Sequence, residues 1–163
     1  MELGDKGVKL IKHFEKCHLT AYQDSKGVWT IGWGNTFYED NKPVKKGDII
    51  TQVNADKLFT AITNGFVADV NKLTKGVVLK QQQFDSLVSF AYNVGSDLNN
   101  NGIAEGLGDS TLLKVVKQNP KDPTVVPEFL KWNVSGGKVL DGLTRRRKAE
   151  AYLYMTGELE FFE

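Results

Sequence analysis

The sequence predicts an α+β fold that is mostly helical, with a small N-terminal β-hairpin lobe attached to a larger helical body. Two observations carry this prediction. AYQD and VWTIGWG flank a turn of Asp, Ser and Gly type, and the second run is rich in β-branched and aromatic residues, as hairpin strands are. On either side of this block, apolar residues recur at helical spacing between capping and stop residues.

Each element has its own local reason. Val8, Ile11 and Phe14, with Leu10 and Cys17 beside them, make Asp5 to Glu15 a short amphipathic helix with Glu15 in its last turn. Thr51 can cap a helix carrying Leu58, Phe59, Ile62 and Phe66, and LKQQQFDSLVSFAYNVG reads as a long buried helix ended by Gly95. STLLKVVKQ, PEFLKW and LTRRRKAEAYLYMTG are helical again, the last with Thr144 as cap and Gly157 as stop. With no repeat and no long linker, residues 1–163 are expected to form a single domain, the small β lobe spanning roughly 15–50.

Composition narrows the function classes. A chain of 163 residues buries roughly 70% of its unfolded surface and needs no disulfide or metal to fold. A formal charge of +1 provides no footprint for nucleic acid. Cys17, the single cysteine, reads as a small core residue in a reducing compartment. MELGDKGVKLIKHFEK interleaves charged with apolar residues, so neither a signal-peptide core nor a membrane span is expected there. The expectation is a monomer held in the bacterial cytoplasm until something else releases it.

The chemistry concentrates in FEKCHLTAYQDSKGVWTIGWGNT. Alternation along an extended strand puts Trp29, Ile31 and Trp33 on one face, and Thr30, with Gly32 and Gly34, on the other. Asp24, at the end of the partner strand, can project towards the glycine floor, and Glu15 can complete the ring from the helix end. A carboxyl group at the negative end of a helix dipole, if shielded from water, favours its protonated form, whereas one in an open turn stays ionised. Such a pair suits general acid and general base roles in cleaving a glycosidic bond. Taken singly, however, Glu15 equally fits a solvated helix residue, Asp24 an Asx-turn former and Thr30 a good strand residue.

The block as a whole resembles the phage lysozyme, or endolysin, family of glycoside hydrolase family 24, in Glu15, Asp24 and Thr30 within AYQDSKGVWTIGWGNT. FDSLVSFAYNVG, DSTLLKVV and LDGLTRRRKAEAYLY resemble the family's central, following and closing helices, so the likeness covers nearly the whole chain. It implies a lysozyme-like fold with an active-site groove between the lobes. It also implies hydrolysis of peptidoglycan between N-acetylmuramic acid and N-acetylglucosamine, with Glu15 as acid and Asp24 and Thr30 activating a water. Thr36, Tyr92 and Asn93 are implied as sugar contacts. The implied partner is the bacterial glycan strand, with no cofactor, and the implied use is lysis of the host cell, with release to the wall through a holin. Two other readings stay open: a glycan-binding relative without turnover, and the same enzyme delivered as an antibacterial effector.

Several features fall outside that pattern. Lys16 stands where the family commonly has glycine after the glutamate, and Asn35 where it commonly has histidine. Asp97, Asn99, Asn101 and Gly102 match the first half of a calcium loop, but Gly108 occupies the place of the bidentate glutamate, so no metal is expected. Arg145, Arg146, Arg147 and Lys148 point to several sides of one helix, and some must face the protein. His13 and His18 have no partners at ligand or triad spacing.

Overall fold

A computed structural model describes residues 1–163. In chain order the elements are α1 (Asp5–Glu15), β1 (His18–Gln23), β2 (Trp29–Gly32), α2 (Gln52–Leu73), α3 (Gln81–Val94), α4 (Thr111–Gln118), α5 (Val125–Leu130), β3 (Val134–Ser135), β4 (Lys138–Val139) and α6 (Asp141–Thr156). They fall into two compact units, residues 12–65 and residues 1–11 with 66–163.

In the 12–65 unit, β1 and β2 pair antiparallel, with Tyr22 opposite Thr30 and Gln23 opposite Trp29. Ile31, Val44 and Leu58 form its core, with Ala21, Trp29, Tyr38, Ile50 and Ile62 packed around them. Thr51 caps α2 as expected, its hydroxyl accepting the Asn54 N–H at 3.1 Å. Beta-structure ends sooner than the sequence suggested. Strand β2 stops at Gly32 because Gly32 and Gly34 both adopt positive φ, and the chain turns back so that Ile31 and Asn35 exchange backbone hydrogen bonds at 2.8 and 2.9 Å. Trp33 and Gly34 therefore do not continue the two-residue alternation.

In the other unit, α3 is buried along most of its length and α6 packs on α3 and α5. Phe90 meets Phe129 and Trp132 edge-on, and Phe129 meets Tyr154 in the same way, a geometry favoured by the ring quadrupoles. Gly95 and Gly157 end their helices as predicted. Helix α6 begins at Asp141 rather than after Thr144, because Asp141 already supplies the acidic first turn; the Thr144 hydroxyl instead accepts from Asn133 at 3.1 Å. The hairpin β3–β4 went unread in the sequence. Its signal is the Gly136-Gly137 pair, both at positive φ, in a two-residue turn.

Lys16 adopts the left-handed backbone that favours glycine. Its N–H closes the last turn of α1 on the Lys12 carbonyl at 3.0 Å, and its φ of 57° lies in the left-handed region, where a side chain costs about 1 to 2 kcal/mol. Lys16→Gly should therefore stabilise the protein by about 1 kcal/mol, after the extra entropy of an unfolded glycine, and raise Tm by roughly 2 to 4 °C. A thermal melt showing a lower Tm would contradict this.

Candidate active site

Helix α1 delivers Glu15 at its C-terminal end, and the Gly32–Asn35 turn rises against it. A Cβ added at Gly34 would overlap the carboxylate and lie 2.8 Å from Glu15 Cδ. The glycines thus do not form a flat floor beneath Thr30. They form a turn whose bare backbone at Gly34 makes room for Glu15. Asn35, only 4% exposed, closes this turn through its main chain, so the residue standing in for histidine is a support and not a solvent-facing contact.

Lys12, one turn before Glu15, is held over the Trp33 ring at 4.7 Å and the Phe59 ring at 4.9 Å. Its ammonium is 3.7 Å from Asp56, which also accepts the Trp33 indole N–H at 2.9 Å. That indole hydrogen bond is the main reason the Asp56 carboxyl is held below its usual range, with Gln52 and Lys12 adding to it against burial. The end of α1 and the glycine turn are in this way clamped together from the side. Cys17 lies beside the clamp, half-buried rather than in the core, with Gln52 Nε2 3.6 Å from Sγ. Burial pushes its thiol up, so it stays protonated and unreactive.

Asp24 and Thr30 are organised by one residue between them, Val28. Asp24 Oδ1 accepts the N–H groups of Lys26 at 2.8 Å and Val28 at 2.9 Å. The Val28 carbonyl accepts the Asp24 N–H and the Thr30 hydroxyl, both at 2.9 Å. Two consequences follow. Asp24 keeps Oδ2 as the oxygen not used by the turn. Thr30, 3% exposed, has committed its one hydroxyl proton, so towards anything else it acts as an acceptor.

Sequence reasoning passed over Tyr22. Opposite Thr30 in the ladder, its ring lies 4.3 Å from that of His18, and its phenol is pushed up first by burial and then by the charges of Glu15 and Asp24. A neutral phenol is therefore held near both carboxylates. The signal was present in AYQD, since residues two apart on a strand share a face. Thr36, another predicted contact, is partly exposed just beyond the Asn35 bridge.

The remaining predicted contacts belong to the helical unit. The Tyr92 ring lies 5.4 Å from that of Phe66, tilted by 49°, and Asn93 is exposed at the end of α3. Of the basic run, Arg146 and Arg147 are buried, whereas Arg145 and Lys148 face solvent. The loop after α3 uses its acidic residue internally, Asp97 Oδ2 accepting the Glu105 N–H at 3.0 Å and the Asp109 N–H at 3.3 Å. Leu107 and Gly108 donate back to the carbonyls of Gly95 and Ser96, which folds the loop onto the helix end.

The helix-borne carboxyl of Glu15, the glycine turn, and the aspartate and threonine tied to Val28 all lie within the residues that a family model matches. The phage lysozyme model matches residues 12–150. The chain belongs to the phage lysozyme family. This member is 40% identical to an endolysin of Bacillus phage B103 over 97% of its own length, but spans only 56% of that protein. Its fold is similar to that of the endolysin from Escherichia coli O157:H7 phage FAHEc1, with a TM-score of 0.84, 38% identity and 98% and 97% of the two chains covered. The muramidase domain of SpmX from Asticaccaulis excentricus is also similar, at a TM-score of 0.77 and 33% identity over 95% and 98%.

The Gly34 contact can be separated from backbone strain by a matched pair. Gly27 and Gly34 have nearly the same φ, 79° and 78°, but a Cβ at Gly27 meets nothing within 4 Å. Both Gly→Ala changes should cost about 1 to 3 kcal/mol of stability. Only Gly34→Ala should also reduce the glycan hydrolysis proposed below more than about tenfold, because only there is the carboxylate displaced. Equal activity in the two variants would show that Glu15 does not depend on this turn.

Proposed function

We propose that the protein is a peptidoglycan-degrading lysozyme of the endolysin type, which hydrolyses the β-1,4 bond between N-acetylmuramic acid and N-acetylglucosamine with inversion. The observation that carries this reading is the shared anchoring of Asp24 and Thr30 on Val28, with Glu15 presented separately by α1. The family relationship supports it, as do the endolysin and muramidase names of the relatives.

Glu15 protonates the departing sugar oxygen. On the other side, one water donates a hydrogen bond to the Thr30 oxygen and another to Asp24 Oδ2. With both of its protons so engaged, the water points a lone pair at the anomeric carbon, and Asp24 takes its proton as the bond to carbon forms. Thr30 suits this role because its own proton is already given to Val28. The Tyr22 phenol, kept neutral by burial and by the charges of Glu15 and Asp24, is a donor available near both carboxylates. Thr36 in the 12–65 unit, and Tyr92 and Asn93 in the other, contact the glycan.

Glu15→Gln cannot supply a proton and should lose about 10²- to 10⁴-fold in rate with the fold intact by circular dichroism. Turbidity clearing of purified peptidoglycan measures this, and retention of more than a tenth of activity would remove Glu15 from its role. Thr30→Val should lose about 10²-fold while Thr30→Ser retains most activity, because only serine keeps the acceptor. NMR of the first-formed reducing end should show an inverted anomer, since a water between acid and base implies a carboxyl separation of about 6.5 to 9.5 Å. A retained anomer, or a covalent adduct on Asp24, would make Asp24 a nucleophile instead.

A further inference from the structure

A cation stands one turn before the proposed acid and on the same side of α1, since residues three apart in a helix are neighbours. Lys12 Nζ lies 4.7 Å from the centre of the Trp33 ring, and the next residue, Gly34, is the one whose bare backbone makes room for Glu15. Ammonium and carboxyl are therefore seated against consecutive residues of a single turn. A direct ion pair between them would favour the ionised carboxyl, which has no proton to give. The ammonium is engaged elsewhere: it lies 3.7 Å from Asp56 Oδ1, and over the Phe59 ring at 4.9 Å as well as over Trp33.

Asp56 is itself held in place for this contact. Its Oδ1 accepts the Trp33 indole N–H at 2.9 Å and the Gln52 amide at 3.2 Å, and the indole bond is first among the causes that keep its carboxyl below the usual range, so its charge is present throughout neutral pH. The ring faces add their own attraction for the ammonium. The other titratable groups around Glu15 in the 12–65 unit do not replace Lys12. Tyr22 and Asp24 bring no positive charge, the phenol being pushed up by burial and then by Glu15 and Asp24. His13, two positions before Glu15, lies on a different side of the helix, and Lys16 leaves it with a left-handed backbone. The Cys17 thiol beside Asp56 and Lys12 is pushed up by burial and stays neutral. We propose that Asp56 is a positioning residue for the reaction: with the Trp33 and Phe59 rings it draws Lys12 away from Glu15 and so lets that carboxyl carry the proton it donates. The inference rests on Glu15 being the acid, as proposed above, and it adds a residue that acts through another.

The test is the pH dependence of kcat on soluble glycan strands from purified peptidoglycan, compared in a double-mutant cycle. Asp56→Asn keeps an acceptor for the Trp33 indole and removes the charge that holds Lys12. Its alkaline limb, where the acid loses its proton, should lie about half a pH unit or more below that of wild type, so that kcat on that limb falls about threefold or more. KM should stay within about twofold, and the two proteins should converge towards the acid end of the profile. Lys12→Met keeps an apolar stem over the rings but has no ammonium to release. In that background the same Asp56→Asn change should move the limb by less than about 0.2 of a unit. A role in folding alone predicts another pattern: a lower Tm, kcat reduced by one factor at every pH, and no dependence on Lys12. Should Asp56→Asn fold too poorly to assay, Asp56→Ser with and without Lys12→Met makes the same comparison. Limbs that coincide in wild type and Asp56→Asn, or a shift that persists in full alongside Lys12→Met, would overturn the inference. An active Glu15→Gln variant would instead overturn the assignment of Glu15 as the acid.

Discussion

The backbone of Val28 holds the Asp24 and Thr30 half of the candidate site together. Its N–H fixes one oxygen of Asp24, and its carbonyl takes the Thr30 hydroxyl proton. Neither bond depends on the side chain at that position, which is exposed. Both depend on the turn having five residues from Asp24 to Val28 and on the register that sets Tyr22 opposite Thr30. A slip of one residue would send Thr30 to the other face of the ladder and leave Asp24 capping a different amide. The relative placement of the two residues is thus a property of turn geometry.

Glu15 is positioned by a different device. A helix end offers no fixed partner for its last side chains, so the carboxyl must be held from outside the helix. The Gly32–Asn35 turn does this by presenting backbone where any other residue would present a Cβ, and the Lys12, Trp33 and Asp56 contacts keep helix and turn in step. Lys16 shows how little of this requires glycine itself at the helix end. Its left-handed backbone is the one the position demands, and the protein accepts about 1 to 2 kcal/mol of strain to keep it.

The helical unit solves a separate problem by burying charge. Glu150 gathers two guanidiniums and a hydroxyl from α3 and α6, which ties those helices at one angular setting that apolar packing alone leaves more freely adjustable. The ring contacts among Phe90, Phe129, Trp132 and Tyr154 join buried aliphatic residues such as Leu87, Val88 and Leu153 in the surrounding apolar core. Specific polar bonds fix orientation, and the rings contribute the non-directional part of the stability.

Much of this was legible in the sequence, and the reason is locality. Helix periods, the Thr51 cap, the Gly95 and Gly157 stops, and the Asp-Ser-Lys-Gly turn are decided by residues within a few positions of one another, so a linear reading recovers them. The spacing of Glu15, Asp24 and Thr30 was likewise readable because one helix end and one hairpin carry all three. The strand ending at Gly32 was not, since glycine permits positive φ without requiring it, and only packing against Glu15 selects the turn. The coupling of Tyr22 to Glu15, and which members of the basic run face the protein, Arg146 and Arg147, were decided by tertiary structure alone. Sequence determines which groups are available and how the chain locally presents them; which charges meet, and which are removed from water, depends on partners far away along the chain, Ser89 and Glu150 being 61 residues apart.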